Sequence, residues 1–173
     1  MNIKEGIEKR FSVRAFTKEV PDMKLISEIL KTANAAPSGG NIQPWKVYVL
    51  NEKAKNNLAK ETLQNFDTGI QEEIEYDIYP KPLADEYKKR RYECGADMYN
   101  ALSIEKDDLD SRFKQIRENY NFFGAPIGMI ITIDRSFGSN GWGHVGMFLE
   151  NLWLSAIHHG LGLCLQESWS IYP

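Results

Sequence analysis

The longest apolar stretch of the chain runs from Gly141 to Leu163, and within it Val145, Phe148, Leu149, Leu152, Trp153, Ala156 and Ile157 cover most of the circumference of a helix. A helix that is apolar on nearly every side has to be covered on nearly every side. The spacing therefore predicts a central helix over 141–160 with the rest of the chain packed around it. His144, Glu150, Asn151, His158 and His159 interrupt the run. Charged and imidazole groups at that density are costly in a bilayer, so the helix reads as the core of a water-soluble protein.

The remaining sequence is enough to supply that cover. With 173 residues, 42% apolar and 26% charged, residues 1–173 read as a single domain of common size, with no internal repeat, low-complexity tract or linker. Hydrophobic spacing predicts further helices near 2–9, 22–35, 52–66, 83–102 and 107–121. In the last of these Leu109, Phe113, Ile116 and Tyr120 recur at helical intervals beside charged residues. Three short β-like runs are expected at 46–50, at 127–133 after Pro126, and at 161–166 after Gly160. Residues 67–82 read as an irregular surface excursion.

Charge and leader chemistry narrow the function. Twenty-one Lys and Arg against 24 Asp and Glu give a net charge of −3, so no global basic field points to nucleic acid or to a membrane surface. The N-terminal residues contain Lys4, Glu5, Glu8, Lys9 and Arg10 and no apolar leader core, from which a cytoplasmic protein is expected. Cys94 and Cys164 are isolated and read as reduced packing residues. His144, His158 and His159 form no pattern of metal ligands, and no metal is expected. Walker loops, nucleophile elbows and paired catalytic cysteines are missing from the sequence.

Four segments carry polar chemistry. In an extended chain Arg10, Ser12 and Arg14 project to one side and Phe11 and Val13 to the other. Two guanidinium forks around a hydroxyl suit a phosphate; the alternative is a pair of solvated surface arginines. Ala35 to Trp45 places Ser38, Asn41 and Gln43 around Pro37 and Gly39-Gly40. Such a loop offers close backbone approach together with donors and acceptors for a polar heterocycle or polyol, or else a plain helix end followed by a turn. Gly141-Trp142-Gly143-His144-Val145-Gly146 is a literal G-x-G-x-x-G, but the dinucleotide fingerprint needs its first glycine directly after a strand. Here Asp134 to Asn140 intervenes and Trp142 crowds the turn, so the glycines read as packing positions, with Ser139 or Asn140 expected to cap the helix. The fourth segment, Cys164 to Trp169, offers backbone N–H groups with Gln166 and Glu167 at an irregular chain exit.

In this order the segments resemble the FMN-dependent nitroreductase superfamily over essentially the whole chain. The resemblance rests on Arg-x-Ser-x-Arg-x-Phe, Pro-Ser-x-x-Asn-x-Gln-Pro-Trp, Phe123-Gly124-Ala125-Pro126 and the Gly-Leu-Gly to Gln-Glu-x-Trp exit. Leu83 to Phe123, with Tyr87-Lys88-Lys89-Arg90-Arg91, is most similar to the nitroaromatic reductase branch. The resemblance implies an α+β fold, a three-layer α-β-α sandwich with a central mixed or antiparallel sheet, and a homodimer with FMN at its interface. By the same resemblance Arg10, Ser12 and Arg14 would hold the phosphate and ribityl end. Pro37, Ser38, Gly39, Asn41 and Gln43 would approach the ring from the other subunit, and Gln166 and Glu167 would line it, the Glu167 N–H toward flavin N5. NAD(P)H and a nitroaromatic or quinone acceptor would react in turn, with no catalytic side chain required. Leu163 and Leu165 stand where relatives often carry Thr and Pro. Relatives also continue past Tyr172-Pro173 into a further strand, basic residues and an extension that embraces the partner. A missing C-terminal strand, an exposed sheet edge or groove near Tyr172, and a catalytically impaired flavin- or nucleotide-binding remnant as the alternative function are the corresponding expectations.

Overall fold

The computed structural model describes residues 2–70 and 72–172. They form an α+β chain of helices α1 (Ile3–Lys9), α2 (Met23–Ala33), α3 (Glu52–Thr68), α4 (Asp85–Ala101), α5 (Leu109–Arg117) and α6 (Gly138–His158), with strands β1 (Trp45–Leu50) and β2 (Gly128–Ile133). The chain divides into two compact units, Met1–Asn57 with Gly124–Leu165, and Leu58–Phe123 with Gln166–Pro173.

The first unit is built on α6. Val145, Phe148, Leu152 and Ala156 are buried together with Ile29, Ala33, Ala36 and Trp45. The two largest fully buried side chains, Phe148 and Leu152, both belong to α6, as its all-round apolar surface predicts. α2 supplies a narrower apolar stripe, Leu25, Ile26, Ile29, Leu30 and Ala33, and its first turn is capped by Asp22 Oδ1 accepting from Lys24 N at 2.8 Å. β1 and β2 pair antiparallel, Trp45 opposite Ile133 and Val47 opposite Ile131. Those four side chains belong to the core side of the sheet, whereas Lys46 and Tyr48 of the same strand are exposed, the alternation expected of a sheet with one covered face. Trp45 stacks on Phe148 with ring centroids 5.0 Å apart, and its Nε1 donates to Asn34 Oδ1 at 2.8 Å, so the polar edge of a buried indole is satisfied.

Two expectations about this unit change. The run 161–166 forms no ladder; among the described residues the sheet has two strands. Val13 N donates to Leu163 O at 2.9 Å, which ties this run to residues 10–14 without making a strand pair. The long helix begins at Gly138 after Phe137, with no side-chain cap, so neither Ser139 nor Asn140 starts it. Asp134 instead caps the short 3-10 turn Arg135–Phe137, accepting from Ser136 N at 2.9 Å. Gly141, Gly143 and Gly146 consequently all lie inside α6, which removes the strand-to-turn geometry of a dinucleotide fingerprint.

The second unit is held by aromatic side chains. Phe66 stacks on Phe113 at 4.9 Å and meets Tyr120 at 5.1 Å. α5 ends at Arg117, and residues Glu118–Gly124 continue as 3-10 turns in which Phe122 and Phe123 have φ of 51° and 50°. The left-handed region is unfavourable for bulky residues; burial of both rings compensates it. Ser168–Ile171 forms a further 3-10 turn that brings Trp169 to 4.5 Å from Phe122 and 5.7 Å from Tyr120, with Tyr172 at 5.3 Å from Tyr120. The aromatic ending is thus packed in this unit, whose described residues contain no strand. α4 has no buried residue; Arg112 of α5 lies over the Tyr99 ring at 4.2 Å.

Candidate functional site

The segment from Arg10 to Arg14 leaves the end of α1 with Arg10 in the extended region and continues outside any helix or strand. Arg10 is the C-cap of that helix, its backbone N–H donating to Ile7 O at 3.3 Å, and its guanidinium lies 4.5 Å above the Trp153 ring of α6. Val13 fixes the segment: besides its bond to Leu163, it fills the space where a side chain on Gly162 would sit, 2.7 Å from Val13 Cγ2. Glycine at 162 is therefore what permits the close approach of the two segments. Arg14 Nη1 donates to Ser12 O at 3.4 Å, and the Arg14 charge also reaches Cys164, lowering a thiol pKa that burial raises by more. Cys164 stays protonated near neutrality, in keeping with a packing role.

The loop after α2 is organised by its own polar side chains. Ser38 Oγ accepts from Gln43 N at 2.9 Å, and Gln43 Nε2 donates to Asn41 Oδ1 at 3.1 Å. Gly40, Asn41 and Gln43 have φ of 58°, 56° and 50°, so three of four successive residues are left-handed. Glycine and asparagine accept that conformation readily, and the serine clasp holds the glutamine in it. Pro37, Gly39, Asn41 and Gln43 are exposed and Ser38 is half-buried. Gly39 lies against α6: a Cβ there would come to 3.4 Å from His144 Nε2. His144 Nδ1 is buried with no hydrogen-bond partner among the described residues.

In the second unit Gln166 Nε2 donates to Asn119 O at 2.8 Å and to Asn119 Oδ1 at 3.2 Å, while its Oε1 accepts from Trp169 Nε1 at 3.4 Å. Its side chain is held rigidly by its own unit. Glu167 starts the 3-10 turn and its carbonyl accepts from Ser170 Oγ at 2.7 Å; its side chain is exposed.

Among the sequence-selected residues, the structure holds Arg10, Ser12 and Arg14 on one short segment, and Ser38, Asn41 and Gln43 in one hydrogen-bonded loop of the same unit. Gln166 and Glu167 belong to the other unit. Sequence reasoning missed Trp153 under Arg10, His144 under Gly39 and Asn34 on Trp45. Trp153 and His144 meet residues far away along the chain, Arg10 and Gly39, so no local pattern pairs them.

On this α+β chain two arginines flank a hydroxyl on one short segment, and an amide-rich loop is fixed by its own hydrogen bonds. Comparison with known proteins sharpens the class. Residues 7–172 match the Nitroreductase family. A 4-nitrobenzoate reductase of Nocardioides sp. (strain LMS-CY) is 34% identical over 166 residues, covering 94% of this chain and 67% of its own length. The solved FMN and NADPH-dependent nitroreductase NfnB from sphigopyxis sp. strain HMH superposes with a TM-score of 0.94 at 36% identity, over 99% of this chain and 78% of that one. The FMN-dependent nitroreductase NfnB from Mycobacterium smegmatis, solved in complex with NADPH, gives 0.91 at 25% identity over 98% and 76%. The chain belongs to the Nitroreductase family. No helix among the described residues is long and apolar enough to cross a membrane.

Proposed function

We propose that the chain is one nitroreductase domain that binds FMN and acts as an NAD(P)H-dependent reductase of nitroaromatic or quinone acceptors, as a cytoplasmic homodimer. The observation that carries this reading is the Arg10–Ser12–Arg14 segment, tied down by the Val13–Leu163 bond within a chain whose relatives include a 4-nitrobenzoate reductase. The residues fit the cofactor. Two guanidinium groups and a hydroxyl match a phosphate dianion in charge and donor number. The Ser38-to-Gln43 loop has its left-handed backbone at Gly40, Asn41 and Gln43 already set by internal bonds, so little ordering is required on binding.

Arg10, Ser12 and Arg14 are assigned to the phosphate and ribityl end; Pro37, Ser38, Gly39, Asn41 and Gln43 to the ring and its substituents. Gln166, braced by Asn119, and the Glu167 backbone N–H are assigned to the ring edge. When bound, FMN supplies the hydride relay, with donor and acceptor using the site alternately. Donors aimed at an anionic ligand stabilise the additional charge that reduction brings. No side-chain nucleophile is needed, which agrees with the protonated, half-buried Cys164.

The test is anaerobic titration of the purified protein with FMN followed by NADH or NADPH. A visible flavin band that bleaches on nucleotide addition is the expected result. Flavin uptake without bleaching would select a binding protein lacking turnover, and no uptake would overturn the assignment.

A further inference from the structure

The side chain beneath Arg10 is Trp153. It is 6% exposed, and the Arg10 guanidinium lies 4.5 Å from its ring centroid, within the range of a cation–π contact. The indole Nε1 is buried without a hydrogen-bond partner among the described residues. An unmade hydrogen bond in a core is costly, and a phenylalanine or leucine would avoid it. What tryptophan gives in return is the strongest aromatic face for a cation. Arg10 is only half-buried, so without that face its long side chain would sample many rotamers in solvent. The backbone adds a second restraint, since Arg10 closes α1 and its φ and ψ are fixed at the helix end.

We infer that Trp153 is a positioning residue for phosphate recognition: by stacking on the Arg10 guanidinium it holds that group in place before the ligand arrives. The inference deepens the proposed function and rests on its assignment of Arg10 to the FMN phosphate. A stacked guanidinium keeps its in-plane N–H donors available at the edge, which is the geometry a bidentate oxyanion contact uses. Pre-ordering it removes an entropy cost from binding. The effect falls chiefly on ligands that carry the phosphate, because the neutral ribityl chain and ring offer no charge for an ordered guanidinium to pair with.

Riboflavin, which lacks the phosphate, separates these roles. The apoprotein is titrated with FMN and with riboflavin, and the ratio of their affinities is measured for wild type, Arg10→Ala, Trp153→Leu, Trp153→Phe and the double variant Arg10→Ala/Trp153→Leu. Arg10→Ala is expected to reduce the FMN preference by roughly tenfold or more. Trp153→Leu should reduce it roughly three- to tenfold with riboflavin affinity held within about twofold, and should add nothing in the Arg10→Ala background. Trp153→Phe should fall between wild type and leucine, and it carries the test alone if the leucine variant does not fold. An unchanged preference in the Trp153 variants, or an equal loss of FMN and riboflavin affinity, overturns the inference while leaving Arg10 at the phosphate. An unchanged preference in Arg10→Ala overturns the phosphate assignment itself, and the inference with it.

Discussion

Gly141 and Gly146 lie on the same helix and are the same residue type, yet a methyl group added to each should move stability in opposite directions. At Gly146 nothing lies within 4 Å of the new Cβ. Replacement by alanine there recovers backbone entropy and should stabilise by about 0.5–1 kcal/mol. At Gly141 the new Cβ would collide with Ile133 Cδ1, 2.9 Å from Phe137 Cβ and 3.3 Å from Ile133 Cγ1. The Ile133 side chain can turn about its own bonds, at the cost of its packed rotamer; Phe137 Cβ is fixed to the main chain and cannot move without shifting the turn before α6. Overpacking of this kind costs roughly 1–3 kcal/mol. The propensity gain is common to both variants, so Gly141→Ala should melt about 2–12 °C below Gly146→Ala for a chain of this size. Thermal unfolding followed by circular dichroism, on apoprotein at one concentration, makes the comparison free of ligand and assembly effects. Equal melting temperatures would refute the claim that Gly141 exists to let α6 approach β2.

Two other outcomes follow from charge and exposure. Cys94 is exposed, whereas burial raises the Cys164 pKa; a thiol reagent at pH 7.5 should label one cysteine quickly and the second only after unfolding, and rapid labelling of both would contradict the packing of 161–165. Asp67 accepts two hydrogen bonds from Arg117, each 2.8 Å, and the hydrogen bonding holds its pKa below the usual carboxylate value while raising that of Arg117. A carboxylate with a depressed folded-state pKa contributes stability above its unfolded pKa of about 4 and loses it as the pH falls below that value. Melting temperature should therefore fall more steeply between pH 5 and 3 in wild type than in Asp67→Asn, and parallel curves would show that the pair contributes nothing.

The helical part of the fold was legible because its signals are local. The spacing of Val145, Phe148, Leu152 and Ala156 is visible within a few turns and predicts α6 to within three residues at its start. The run 161–166 misled because a strand is defined by its neighbour: leucines alternating with Gly162 and Cys164 look the same whether a ladder forms or only Val13 bonds to Leu163. The helical spacing through Tyr120 likewise concealed the change to 3-10 geometry after Arg117, where two left-handed phenylalanines are chosen by aromatic packing rather than by local preference. In the candidate site the donor types could be read from Arg10, Ser12, Arg14 and Ser38. Their supports could not, since Trp153 and His144 reach them only through the packing of α6.

The pairing of β1 with β2 has a consequence for how this chain can vary. Trp45 lies opposite Ile133 and Leu50 opposite Gly128, so the ladder closes a loop that contains α3, α4 and α5. The entropy of closing so long a loop grows only logarithmically, about 0.6 kcal/mol for each doubling. Lengthening or shortening the stretch between α3 and α4 thus costs little loop entropy, and its main effect falls on how fast the two strands find each other. Descendants of such a chain can remodel that region extensively while the Trp45–Ile133 pair stays where it is.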